Sequence, residues 1–166
     1  MIYILDAYNI IHKIKRLEAA LDKDLRSARD ALVELSSKLV FTRGDISKII
    51  LVFDGKSQFR DLPNANLPKI KMVFSETGED ADDRIVTILE ELSKEKNKCV
   101  VSDDNFVRNH ARAYEARAMS VSEFEQLLNP KSKKQKNRTD GSENFSLSPK
   151  TAAEITEAYK KELGLS

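Results

Sequence analysis

The chain is short of the residues that several chemistries require. Cysteine occurs once, at Cys99, so no disulfide and no cysteine-based zinc site can form within one chain. Cys99 sits in an apolar run and reads as a small core residue. Histidine occurs twice, at His12 and His110, with no cysteine or second histidine at ligand spacing. Zinc favours nitrogen and sulfur donors, so a zinc role is not expected. No apolar stretch reaches the roughly 20 residues that span a bilayer, so no membrane partner is expected. No charged leader or cleavage signal precedes the first apolar run, and a cytoplasmic protein is the default. There is no GxxxxGK[ST] phosphate loop, no GxGxxG turn and no GxSxG elbow, which argues against kinase, dinucleotide and serine-hydrolase chemistry. Neither charge dominates: 28 basic and 27 acidic residues give a net charge of +1.

What is present is a repeated pattern. Ile2-Tyr3-Ile4-Leu5 ends at Asp6, Ile49-Ile50-Leu51-Val52-Phe53 ends at Asp54, and Cys99-Val100-Val101-Ser102 ends at Asp103. Short apolar runs separated by helical patterns read as buried parallel strands. In open α/β sheets, ligands sit beyond the carboxyl ends of the strands. A fourth acidic group, Glu79-Asp80-Ala81-Asp82-Asp83, opens a helical pattern between the second and third runs. Carboxylates gathered at one edge raise each other's pKa unless a cation lies between them. All-oxygen donors suit Mg²⁺ or Mn²⁺. Metal-dependent phosphodiester hydrolysis is the chemistry that follows.

The 166 residues allow one domain and an extension. The spacing predicts strands at 2–6, 48–54, 69–75, 98–102 and 116–119, with helices over 24–41, 80–96, 104–113 and 120–128. Residues 9–23 hold a short helix or an ordered loop, and 56–68 read as a long loop. Alternation of helices and strands predicts an α/β fold with a mostly parallel sheet sandwiched by helices. A strand order of 3-2-1-4-5 would set Asp6 beside Asp103. The expected domain covers 1–129. Residues 130–147 form a flexible basic linker, with Lys131, Lys133, Lys134, Lys136 and Arg138 in eight residues free of acids. A last helix over 148–164 starts at Ser148-Pro149.

Each acidic piece has a plain structural reading. Acids favour helix N-termini, and Asp6-Ala7-Tyr8-Asn9 or Ser102-Asp103-Asp104 can cap or turn the backbone. Their joint position at strand ends is what carries weight. On the functional reading Asn9 and Ser102 position ligands or water. Lys56, Arg60 and Arg108 lie just beyond the acidic ends and are candidates for phosphate contact. The five cations of 131–138 are candidates too; engaging single-stranded RNA, they would change the log–log salt slope by roughly −3.5. Tyr8, Phe59 and Tyr114 are available to stack on bases.

Taken together, Asp6-Ala7-Tyr8-Asn9, Phe53-Asp54-Gly55, Glu79-Asp80-Ala81-Asp82-Asp83-Arg84-Ile85 and Ser102-Asp103 resemble the NYN domain family of the PIN-like nuclease superfamily, closest to its bacterial YacP-like branch. The resemblance covers about residues 1–129 and the helix after Leu147. It implies a three-layer α/β/α domain and a metal-dependent endoribonuclease using Mg²⁺ or Mn²⁺ on single-stranded RNA, with mRNA at the ribosome as the further expectation. By position it implies Asp6, Asp82 and Asp103 as the core acidic ligands. Glu79, Asp83 and Asp54 support them, Asp104 stands beside them, and Asn9 is the polar residue after the first strand. Two positions depart from the family pattern: Ala7 where glycine is common, and Phe106 where an acid is common. The second departure leaves open a non-catalytic RNA- or ribosome-binding module. A phosphatase acting on small phosphoesters is a third reading.

Overall fold

Side chains alternate across a strand, and in the central strands of this chain both alternating sets are apolar. The computed structural model describes residues 1–55 and 67–129. The basic linker of 130–147, the closing helix of 148–164, and Lys56, Phe59 and Arg60 lie outside the described residues. The elements run β1 (Ile2–Asp6), α1 (Ala7–Lys13), α2 (Lys15–Lys23), α3 (Leu25–Thr42), β2 (Lys48–Phe53), β3 (Ile70–Phe74), α4 (Ala81–Glu91), β4 (Lys98–Val101), α5 (Asn105–Ala113), β5 (Arg117–Met119) and α6 (Val121–Leu128). The five strands form one sheet in the order β3-β2-β1-β4-β5, the order expected from the sequence. Every pairing is parallel.

The alternation divides the core in two. Tyr3, Leu5, Ile49, Leu51, Phe53, Cys99 and Val101 face one side, where they meet Ile10 and Ile11 of α1, Leu17 of α2, Leu32 and Leu39 of α3 and Phe124 of α6. Ile4, Ile50, Val52 and Val100 face the other, against Ile85, Ile88 and Leu89 of α4 and Val107 and Ala111 of α5. This is the three-layer α/β/α arrangement, with Cys99 fully buried as expected. Burial of that many aliphatic side chains, at about 25 cal/mol per Å² of apolar surface, is what holds the sheet between its helices.

Residues 9–23, ambiguous in sequence, form two helices broken at Ile14. Its backbone is extended (φ −91°, ψ 116°) while its side chain is fully buried. On both sides of the break Ile10, Ile11, Ile14 and Leu17 reach one core. Helix α4 ends at Glu91, short of the expected Lys96. After Leu92 the chain offers only Ser, Lys, Glu and Asn up to Lys98, so no apolar residue holds a further turn to the sheet. The capping box expected at Ser120 is formed, with Glu123 Oε2 accepting from the Ser120 amide at 2.8 Å.

The end of β2 depends on one glycine. The Gly55 amide donates to Ser75 Oγ at 2.8 Å, and Ser75 Oγ donates to Asp54 at 3.2 Å. A Cβ on Gly55 would lie 1.8 Å from the Ser75 carbonyl oxygen. That contact is with backbone, which has little room to yield. Gly55→Ala is expected to destabilise the domain by about 1–3 kcal/mol in urea unfolding. Gly44→Ala is the control: nothing lies within 4 Å of its added carbon, and its effect should stay below about 0.5 kcal/mol. Equal effects at both positions would show that the β2–β3 junction gives way freely.

Candidate active site

The parallel register fixes the centre of the site. Leu5 pairs with Val101, so Asp6 at the end of β1 comes level with Ser102 beyond β4. Ser102 Oγ donates to Asp6 Oδ2 at 3.0 Å and accepts the Asp104 amide at 3.1 Å. Ser102 is fully buried and Asp6 is 6% exposed. One hydroxyl therefore ties the first strand to the turn that opens α5. Asn9, on the first turn of α1, accepts the Asp103 amide through its side-chain oxygen at 3.1 Å. A second thread joins the same two segments.

Asp6 and Asp82 form the electrostatic heart of this edge. Burial raises the Asp6 pKa, against the pull of the Ser102 hydroxyl and the Asn9 amide, and the charges of Asp104 and Asp80 raise it further. Asp82, in the first turn of α4, is pushed up to about 6 by burial, then by Asp6, Asp104, Asp80 and Asp83. No cationic side chain is among the main influences on either group. Asp80 caps α4, accepting the Asp83 amide at 2.8 Å, and was not singled out in the sequence as a site residue. Its capping role is legible from its position, but its field at Asp6 follows only from the packing of α4 on β1.

The adjacent residues Asp103 and Asp104 divide into two roles. Asp104 Oδ1 caps α5 by accepting the Val107 amide at 3.2 Å, and its charge reaches Asp6 and Asp82. Asp103 turns elsewhere. Its Oδ1 accepts the Val121 amide at 3.0 Å, and its Oδ2 pairs with Lys13 Nζ at 2.9 Å. Burial pushes Asp103 up, but the Val121 amide, Lys13 and Arg108 outweigh it and hold the carboxyl below its ordinary range. The expected neighbour of Asp6 is thus the start of the turn that holds Asp103, while the carboxylate that feels Asp6 is Asp104. The reason is local: Asp104 is the N-cap of α5, and Asp103 precedes it. Lys13 gave no sequence signal, because it is one of 28 basic residues and its partner is far away in the chain.

The remaining expected residues are spread around this centre. Glu79 bends back to accept the Glu76 amide at 3.1 Å. Asp83 is exposed on α4 and acts on Asp82 through its charge. Asp54 is held by Ser75 at the end of β2. Arg108, on α5, is close enough to Asp103 to lower its pKa. Lys56, Arg60 and the cations of 131–138 lie outside the described residues.

The carboxylate edge, the strand order and the helix layers together match one known group. The sequence model of the YacP-like NYN domain fits residues 3–164. The chain belongs to the YacP-like NYN domain family. Membership sets this NYN domain among the PIN-like nucleases, with RNA as the substrate class. Its fold is similar to that of Rae1 (YacP) from Bacillus subtilis, with a TM-score of 0.62 and 21% identity over 99% of this chain and 88% of that one. A mutant form of the same B. subtilis protein gives a TM-score of 0.60 at 21% identity, over 82% of this chain and 80% of that one. No curated protein matches the chain.

The donors of the NYN domain suit a divalent cation in charge and type. Asp6, Asp82 and Asp104 offer only carboxylate oxygens; the charge of Asp104 raises the pKa of Asp6 and of Asp82, and that of Asp6 raises Asp82 further. Among the described residues no three His, Cys, Asp or Glu side chains form a ready coordination group.

Two outcomes follow. A carboxyl whose folded pKa is raised is stabilising below its unfolded value and loses that contribution as pH rises through the folded one. For Asp82 the window runs from 3.8 to about 6. In EDTA, Asp82→Asn is expected to stabilise the domain at pH 7 by roughly 1 kcal/mol after allowance for solvent screening, with the gain gone below about pH 4; thermal unfolding across pH reads it. Asp103→Ala, by contrast, should destabilise by about 1–3 kcal/mol, as much as the double variant with Lys13→Ala apart from a small pair term. Unchanged unfolding of Asp103→Ala would remove its anchoring role.

Proposed function

We propose that the protein is an endoribonuclease that hydrolyses single-stranded RNA with Mg²⁺ or Mn²⁺, with mRNA presented on the ribosome as its substrate. The observation that carries the reading is the unbalanced group of Asp6, Asp82 and Asp104 at the carboxyl edge of the sheet, in a domain of nuclease family. The ribosomal part rests on the YacP-like branch of that family.

In this reading Asp6, Asp82 and Asp104 hold the ion, with Asp83 and Glu79 bordering it. A divalent ion held there would supply a Lewis acid for water activation and for charge on the leaving oxygen. The protein's own share is positioning. Ser102 fixes the Asp6 carboxylate by its hydrogen bond and, through the Asp104 amide, sets the start of α5. Asn9 holds the Asp103 backbone against α1. Burial and four neighbouring aspartates push Asp82 up to about 6, and a carboxylate must be deprotonated to hold a cation, so apparent metal affinity should rise between about pH 5 and 7. Asp103 anchors α6 and α1 beside the site, and Asp54 steadies the β2 end. Arg108, whose charge reaches Asp103, would meet an RNA phosphate, with Lys56, Arg60 and the basic segment of 131–138 as further phosphate contacts.

The test is cleavage of labelled single-stranded RNA by the full chain with Mn²⁺, Mg²⁺ or EDTA. Cleavage should need the metal. Asp6→Asn and Asp82→Asn should each lower the rate by more than about a hundredfold, and Ser102→Ala by about 10–100-fold as a residue that orients a ligand. Full activity in EDTA, or in Asp82→Asn, would overturn the site. Tight RNA binding without cleavage, on free RNA and on translating ribosomes alike, would favour a binding module instead.

A further inference from the structure

Among the described residues, the exposed large hydrophobics are Phe41, at 92%, and Phe106, at 47%. Phe41 lies at the end of α3, distant in sequence from every acidic strand end. Phe106 is different in place and in support. Helix α5 turns Val107 and Ala111 inward, and Phe106 lies on its polar side, against the pattern of the helix. It is the second residue of α5, two past the N-cap Asp104, whose charge reaches Asp6 and Asp82. Phe106 therefore lies in the first turn of the helix that starts at the carboxylate edge.

The ring is also held. Its centroid lies 4.2 Å from that of the His110 ring, with the planes tilted by 46°. His110 Nδ1 donates to the Phe106 carbonyl oxygen at 2.9 Å, which fixes the imidazole and with it the surface on which the phenyl rests. With one face braced and about half of the residue open, the other face is available to a planar partner. Of the aromatics suggested by the sequence, Phe59 lies outside the described residues, Tyr8 packs edge-on against Phe53 at 5.7 Å, and Tyr114 packs on the α4–α5 core. Arg108, two residues on, lies on the other flank of α5, the flank it shares with Asp104.

We infer that Phe106, braced by His110, is a stacking platform for one base of single-stranded RNA next to the cleaved phosphate. The inference rests on the nuclease reading above and names the element that seats its substrate. Unpaired bases are recognised chiefly by stacking on aromatic rings, and every base has a face to offer. Phe106 thus contributes affinity and register with little sequence preference, while Asp104 and Arg108 stand on the opposite flank of the same helix start, toward the phosphates of the strand.

The experiment uses the full chain in EDTA, where hydrolysis is off, and a single-stranded oligoribonucleotide carrying 2-aminopurine at each position in turn. Binding should quench the probe most strongly at one position. Phe106→Ala should weaken binding roughly five- to hundredfold and abolish that quench, Phe106→Tyr should keep both, and Phe106→Leu should behave like alanine. Circular dichroism of each variant should match the wild type, since the position is half exposed. In the metal-loaded enzyme Phe106→Ala should raise KM far more than it lowers kcat. Retained affinity and quench in Phe106→Ala, or full rescue by leucine, would overturn the platform and leave the nuclease reading standing. Failure of the wild type to bind RNA at all would overturn both.

Discussion

The hydrogen bond from Ser102 to Asp6 joins two strands whose residues are 96 positions apart. It forms because β1 and β4 pair in parallel and end level, and because a hydroxyl is the smallest group that can satisfy a buried carboxylate there and accept the amide of the next turn. Asp6 would otherwise be a desolvated charge with only the Asn9 amide for company. The rest of the edge takes its position from this pair. The Asp104 amide lands on the same oxygen, which sets the first turn of α5, and α5 in turn sets Asp104, Phe106 and Arg108.

The site concentrates like charge at some cost to the ion-free fold. Asp82 shows it most plainly, with a pKa of about 6 under the influence of burial and four other aspartates. A fold does not keep such an arrangement for stability, because raised carboxylates weaken it at neutral pH. The arrangement makes sense as a place for positive charge. Two neighbours in sequence then serve opposite ends. Asp104 adds to the negative field, and Asp103 is neutralised by Lys13 and by the amide of Val121. The second contact ties α6 into the same edge without adding to the repulsion at Asp6.

Phe106 adds an apolar element to a polar rim. Its exposure is unfavourable in water, and its ring is nevertheless held at a set angle by His110. On the proposed reading, a guanidinium for phosphate and a ring for a base stand beside the acids, the two kinds of contact by which single strands are commonly held.

Sequence alone determined the layers and the edge. Unbroken apolar strands and helical stripes such as Ile85, Ile88 and Leu89 specify a parallel sheet covered on both faces, and strand ends carrying Asp6, Asp54 and Asp103 specify where acids gather. These features are local or periodic, so the chain displays them without folding. The tertiary structure alone decided which acids interact. Whether Asp103 or Asp104 meets Asp6 depends on one residue of phase at the start of α5, and the partnership of Asp103 with Lys13 spans two helices. The break at Ile14 and the field of Asp80 at Asp6 likewise follow from how α1, α2 and α4 seat on the sheet. Direction and distance between side chains from separate elements are set by packing, and no spacing along the chain encodes them.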